Sequence, residues 1–85
     1  MKCQDAYNKG YDCGFQAAIY TDYDSEMDES LESAAYDSEL NARDFSPWEF
    51  IAHEINDNTE ERSEQLWEWY DKGVTAGIKA GIRVR

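Results

Sequence analysis

Residues 70–77 read Tyr70-Asp71-Lys72-Gly73-Val74-Thr75-Ala76-Gly77, a stretch with helical periodicity that nevertheless holds two glycines four residues apart. Glycine inside a helix costs about 1 kcal/mol relative to alanine, so two of them need a reason. Nearly the same spacing occurs at the start of the chain, where Tyr7-Asn8-Lys9-Gly10 is followed by Gly14. Close approach of another backbone supplies the reason. The first and last helices are expected to cross at Gly10/Gly14 and Gly73/Gly77, with the tyrosines beside the crossing. The crossing explains the repeat without a duplicated ancestor.

Working outward, the last helix is expected over about 60–81. At roughly 100° per residue, Leu66, Tyr70, Gly73 and Gly77 fall within an arc of about 60°. Glu61, Glu64, Glu68 and Asp71 fall within about 80° on the opposite side. One face goes inward; the other is a straight row of carboxylates. Asn58 or Thr59 caps this helix, with Glu60 and Glu61 near its positive end. The first helix is expected over about 4–20, on the stripe Tyr7, Gly10, Tyr11, Gly14 and Ala18. A second is expected over about 25–42, with sparse apolar positions Met27, Leu31, Ala34 and Ala35. A third, over about 47–55, is announced by Ser46-Pro47-Trp48-Glu49: a capping serine, proline at the first helical position and glutamate three residues after the cap. Its apolar face is Trp48, Ile51, Ala52 and Ile55. The sum is an all-α, compact domain of three or four helices over residues 1–85.

The chain has 85 residues and a net charge of −11. The charge is segregated. Residues 22–68 hold sixteen acidic side chains against Arg43 and Arg62, a net of −14, whereas residues 69–85 hold four basic side chains against Asp71, a net of +3. The densest acidic run is Thr21-Asp22-Tyr23-Asp24-Ser25-Glu26-Met27-Asp28-Glu29-Ser30-Leu31-Glu32. As a calcium loop starting at Asp22 it has oxygens at the first four odd positions. Met27 then stands where the turn glycine belongs and Ser33 where the bidentate glutamate belongs. One histidine, His53, and two cysteines, Cys3 and Cys13, make a four-ligand zinc site improbable. Ten residues along one helix separate the cysteines by about 15 Å, too far for a disulfide. No phosphate-binding glycine loop, nucleophile elbow or Cys/His pairing is present, so no enzyme activity, cofactor or metal is expected.

Direct nucleic-acid binding needs a basic patch, and only Lys79, Arg83 and Arg85 offer one. The expected partner is itself basic: a nucleic-acid-binding protein or effector complex. Carboxylates at i, i+3 and i+4 rise about 4.5–6 Å, of the order of phosphate spacing along a strand. The expected partner-binding residues are Asp22, Asp24, Glu26, Asp28, Glu29 and Glu32, with the row Glu61, Glu64, Glu68 and Asp71. Tyr23, Tyr36 or Trp69 is expected to anchor the contact. No apolar run reaches the roughly 20 residues of a membrane span, and Met1–Gly10 has no hydrophobic signal region, so a cytoplasmic protein is expected. Whether it forms a homodimer stays open.

In size, acidity and helical make-up the whole chain resembles the small inhibitors that phages and mobile elements use against bacterial defence, the anti-CRISPR and anti-restriction DNA mimics. The resemblance is one of type. It implies that the ten carboxylates above occupy the nucleic-acid channel of an effector in the bacterial host cell and block it by imitating phosphate charge. A local resemblance, over about a third of the chain, is to the ribosome modulation factor family. It rests on Tyr7-x-Lys9-Gly10-x-x-x-Gly14, Ser46-Pro47-Trp48 and Trp67-x-Trp69-Tyr70-x-x-Gly73-x-x-Ala76-Gly77. It implies the alternative of a ribosome- or stress-associated regulatory protein. That family is basic, however, and has no counterpart to residues 21–45.

Overall fold

The computed structural model describes residues 1–23, 30–45 and 48–85. It is all-α, with four helices and, among the described residues, no strand: α1 (Cys3–Tyr20), α2 (Leu31–Ala42), α3 (Trp48–Asn56) and α4 (Glu60–Val84). At 1.5 Å per residue the 25-residue α4 runs about 37 Å, most of the molecule's 43 Å long axis. The other helices pack along it.

The glycine crossing forms, and it joins α1 to α4 in parallel. A Cβ built on Gly73 would meet the Tyr7 carbonyl oxygen, and one on Gly77 the Tyr11 carbonyl oxygen. Reciprocally, Gly10 faces the carbonyl of Tyr70 and Gly14 that of Val74. Each glycine therefore meets the residue three before a glycine on the other helix. The hydrogen standing in place of each absent Cβ points at a carbonyl, the arrangement of a Cα–H···O contact worth about 0.5–1 kcal/mol. Small residues at this spacing are what let two helix backbones touch. The tyrosines do flank the crossing: Tyr70 is buried, while Tyr7 packs its ring edge-on against Trp69 at 6.5 Å between centroids.

Arg62 of α4 and Arg85, which follows α4 as its cap, hold the two ends of α1. Arg62 donates to the Met1 carbonyl (3.0 Å), and Arg85 donates to the carbonyls of Ala18 (2.9 Å) and Thr21 (2.6 Å). Those last carbonyls have no partner within their own helix, so a cation there suits both the hydrogen bonding and the dipole. This explains why α4 runs on to Val84 and does not end near Gly81. Gly81 is a further contact, whose Cβ would stand 2.7 Å from Ala18 Cβ and 2.8 Å from the Phe15 carbonyl oxygen. It is not a terminator.

α2 runs antiparallel to α4: Tyr36 donates to Thr75 Oγ1 (2.6 Å), Tyr70 to Glu39 (2.9 Å) and Arg43 to Asp71 (2.9 Å). Its helix starts at Leu31, where the Ser30 hydroxyl accepts from the Ser33 N–H (3.1 Å). The helix expected over about 25–42 is thus capped at Ser30, whose backbone is extended, and residues 25–29 lie outside the described residues. So do Ser46 and Pro47, on which the cap of α3 was expected. α3 closes with the Asn58 side-chain amide donating to the carbonyls of Glu54 and Ile55, both at 2.9 Å. Thr59, rather than Asn58, caps α4 by accepting from the Arg62 N–H (3.3 Å). The core is small: Ala6, Cys13, Ala18, Ala35, Ile55, Leu66, Tyr70, Val74 and Ile78.

Candidate functional site

The outward face of α4 carries the carboxylate row. Glu61, Glu64, Glu68 and Asp71 are all exposed, while Leu66, Tyr70, Gly73 and Gly77 on the opposite side are all buried. Ten residues from Glu61 to Asp71 rise about 15 Å. The row is not uniform in charge. Asp71 Oδ1 accepts from Arg43 Nη2 at 2.9 Å, and Glu68 lies 3.6 Å from Lys72 Nζ. Both pairs are exposed at the carboxylate and are worth little to stability. Among the described residues, Glu61 and Glu64 have no basic partner.

The structure does not gather all the expected partner-binding residues onto one face. Asp22 is exposed next to Thr21, whose carbonyl accepts from Arg85 at the far end of α4, about 36 Å of helix away from Glu61. Glu32 is exposed in the first turn of α2. The antiparallel register puts it about one turn beyond Thr75, again toward the C-terminal end of α4. Asp24, Glu26, Asp28 and Glu29 lie outside the described residues. Charge thus changes sign along α4 itself, from Glu60, Glu61 and Glu64 to Lys79, Arg83 and Arg85. That order also suits the helix dipole, which favours anions at the start and cations at the end.

Two of the three expected aromatic anchors are engaged within the fold. Tyr36 is half-buried and donates to Thr75. Trp69 is half-buried against Tyr7 and carries Lys72 Nζ 5.1 Å above its ring. Tyr23 is half-buried as well. Among the described residues, the large apolar side chains that do face water are Tyr20, Leu40, Phe45, Phe50 and Val84.

Sequence reasoning missed a buried charge. Glu39 is 1% exposed. Its carboxylate accepts from the Tyr70 hydroxyl (2.9 Å), from Arg43 Nε (2.9 and 3.2 Å) and from Arg43 Nη2 (2.9 Å). The Arg43 guanidinium also lies over the rings of Trp67 and Tyr70, 4.9 and 5.0 Å from their centroids. Burial pulls the guanidinium pKa down, but the bonds and charge of Glu39 and Asp71 overcome it and leave it raised. The signal was present in α2. Leu31 and Ala35 define a stripe whose next turn is Glu39, and Arg43 follows four residues on.

Two acids next to this network hold their protons more tightly than usual. Burial pushes the Cys13 thiol up; contacts with Tyr70 and Trp48 offset part of that, and the charge of Glu39 adds to it. Burial likewise pushes the Tyr70 phenol up, helped by Cys13 and Glu39. Cys13 borders a cleft of about 440 Å³ shared with Ser38, Glu39 and Trp48. A thiol with a raised pKa is a poor nucleophile there. Because both groups stay protonated to higher pH when folded, stability is full at neutral pH. It falls as pH rises through their ordinary values of 9.0 and 10.0. Urea midpoints measured from pH 7 to pH 11 should decline above about pH 9. A Tyr70→Phe variant, weaker at neutral pH, should show the shallower alkaline decline, and an equal slope would refute the assignment.

Among the described residues no group of three or more His, Cys, Asp or Glu is placed to hold a metal ion, and no helix is long and apolar enough to cross a membrane. Comparison with protein-family models, curated proteins and solved structures gives no match.

Proposed function

We propose that the chain is a non-enzymatic inhibitor that binds the cationic nucleic-acid site of a DNA- or RNA-handling protein and excludes the nucleic acid from it. The anti-CRISPR and anti-restriction proteins are the type. The observation that carries this reading is the four-carboxylate row on the outward face of a helix whose inner face is pinned by backbone contact. A row fixed in this way presents its charges without a backbone ordering cost at binding, which favours preorganised electrostatic recognition. Glu61 and Glu64 supply the uncompensated charge. Glu68 and Asp71 exchange their intramolecular cations for those of the partner. The contribution of Asp22 and Glu32 is separate, since a partner would have to span about 36 Å to meet both ends.

Purified restriction nucleases and CRISPR surveillance complexes provide the test. The chain should bind one of them in competition with its DNA or RNA, and binding should weaken steeply between 50 and 500 mM NaCl. Replacing Glu61, Glu64 and Glu68 together by lysine should cost about a hundredfold or more in affinity, because three attractions become three repulsions. Helicity should be retained. Binding that ignores salt, or that coexists with bound nucleic acid, would sink the proposal. Co-sedimentation with ribosomes instead would favour a ribosome-associated regulator.

A further inference from the structure

At the turn from α2 into α3, three large apolar side chains face water within a short span of chain: Leu40 at 53% exposure, Phe45 at 68% and Phe50 at 64%. Phe45 is tied to both helices by backbone bonds, its N–H donating to the Ala42 carbonyl (3.0 Å) and its carbonyl accepting from the Glu49 N–H (3.1 Å). Phenylalanine has no polar atom to recover any part of the cost of hydration, so two exposed rings five residues apart in the chain are a marked surface feature. The chain does not use them to complete its own core, which is formed by other residues.

The surroundings decide what could cover them. Asp44 precedes Phe45, Glu49 lies one turn after it, and Glu54 lies one turn after Phe50. Arg43, the one nearby cation, is taken up by Glu39 and Asp71. The same Arg43–Asp71 pair joins this turn to the end of the carboxylate row. A second copy of the chain, at net −11, would bring one acidic rim against another. An apolar centre with an anionic rim instead matches a surface with an apolar pocket edged by lysine and arginine.

We propose that Leu40, Phe45 and Phe50 are the apolar anchor of the interface, seated in a pocket of a cationic protein surface while the α4 row meets the flanking charges. The proposal rests on the reading of that row as a decoy for a basic partner. Anchors of this kind carry most of an interface's affinity, whereas exposed charges set the rate of association and its salt dependence. The two contributions therefore separate experimentally.

The probe is an 18-residue amphipathic helix with leucine on one face and lysine on the other; the control is an oligolysine of the same length. Affinities are measured by fluorescence anisotropy at 50 and 500 mM NaCl. The wild-type chain should hold the amphipathic probe at high salt, where charge is screened. Phe45→Ala/Phe50→Ala should lose that high-salt binding by about tenfold or more and still bind oligolysine at low salt. Glu61→Gln/Glu64→Gln/Glu68→Gln should show the reverse pattern. High-salt binding of the double alanine variant within twofold of wild type overturns the anchor but leaves the row standing. Unchanged oligolysine binding by the glutamine variant overturns the row instead. Should sedimentation show a dimer that the double alanine variant disperses, the occupant is a second copy and the proposal fails. Circular dichroism melts control for folding, which loss of two solvated rings should leave intact.

Discussion

Gly73→Ala should unfold this protein, or nearly so, although alanine is the better helix former. On propensity alone the substitution gains about 1 kcal/mol. Here the new methyl would land on the carbonyl oxygen of Tyr7, with the Tyr11 nitrogen 2.9 Å away. These are backbone atoms of a helix held at both ends by Arg62 and Arg85, so they cannot swing aside as a side chain would. The two helices must separate, and separation lifts Gly10, Gly14, Gly77 and Gly81 from their own contacts. Overpacking costs about 1–3 kcal/mol where the structure yields locally, and more where it cannot. A loss of about 3 kcal/mol or more is expected, a large fraction of what a small domain has. Gly77→Ala should behave alike, for its methyl would meet the Tyr11 carbonyl and the Phe15 nitrogen. Gly73→Leu should do no better. Ala76→Leu, at a half-buried position of the same helix, is the contrasting control. Thermal melts by circular dichroism decide the matter. A Gly73→Ala variant as stable as wild type, or more so, would mean that α1 and α4 do not touch through their backbones.

How much of this was visible beforehand depends on whether the signal was local. The glycine spacing was legible because each glycine carries its own penalty, and the inner arc of Leu66, Tyr70, Gly73 and Gly77 follows from helical geometry alone. The outer row was legible for the same reason. The parallel direction of α1 and α4 was not, since a stripe of small residues packs equally well on paper in either sense. The end of α4, expected near 81, lies three residues further on. At Gly81 the missing side chain serves packing against Ala18 and Phe15, a fact that belongs to another helix. The surroundings of the expected aromatic anchors were hidden in a related way. Tyr36 and Trp69 looked available by composition, yet Thr75, Tyr7 and Lys72 occupy them. Phe45 and Phe50, which no periodic stripe singles out, face water. Glu39 is the deepest miss. The stripe of Leu31 and Ala35 leads to it, but a glutamate on a sparse helix in the most acidic part of the chain reads as solvated until Tyr70 is brought to it from α4.

That buried glutamate makes the second large prediction. Arg43→Leu should cost about 3–5 kcal/mol, the usual consequence of removing one partner from a buried pair. It leaves a carboxylate with 1% of its surface exposed and only the Tyr70 hydroxyl to solvate it. Glu39→Ala should cost somewhat less. The Arg43 side chain is 22% exposed, keeps Asp71, and rests on the rings of Trp67 and Tyr70. The orphan in that case is the Tyr70 hydroxyl, worth about 1–3 kcal/mol when left unpaired. If the network acts as a unit, removing all of it should hurt less than removing one member. Glu39→Leu/Arg43→Leu/Tyr70→Phe deletes every buried charge and hydroxyl while roughly keeping volume. Such replacements are often neutral or better. The triple variant should therefore be more stable than Arg43→Leu alone, by urea midpoint at pH 7. Additive losses would show instead that the three side chains act independently. Stability apart, the triple variant also removes the cation that engages Asp71. Its carboxylate row would gain one uncompensated charge, and binding to a cationic partner should strengthen at low salt even though no residue of the row has changed.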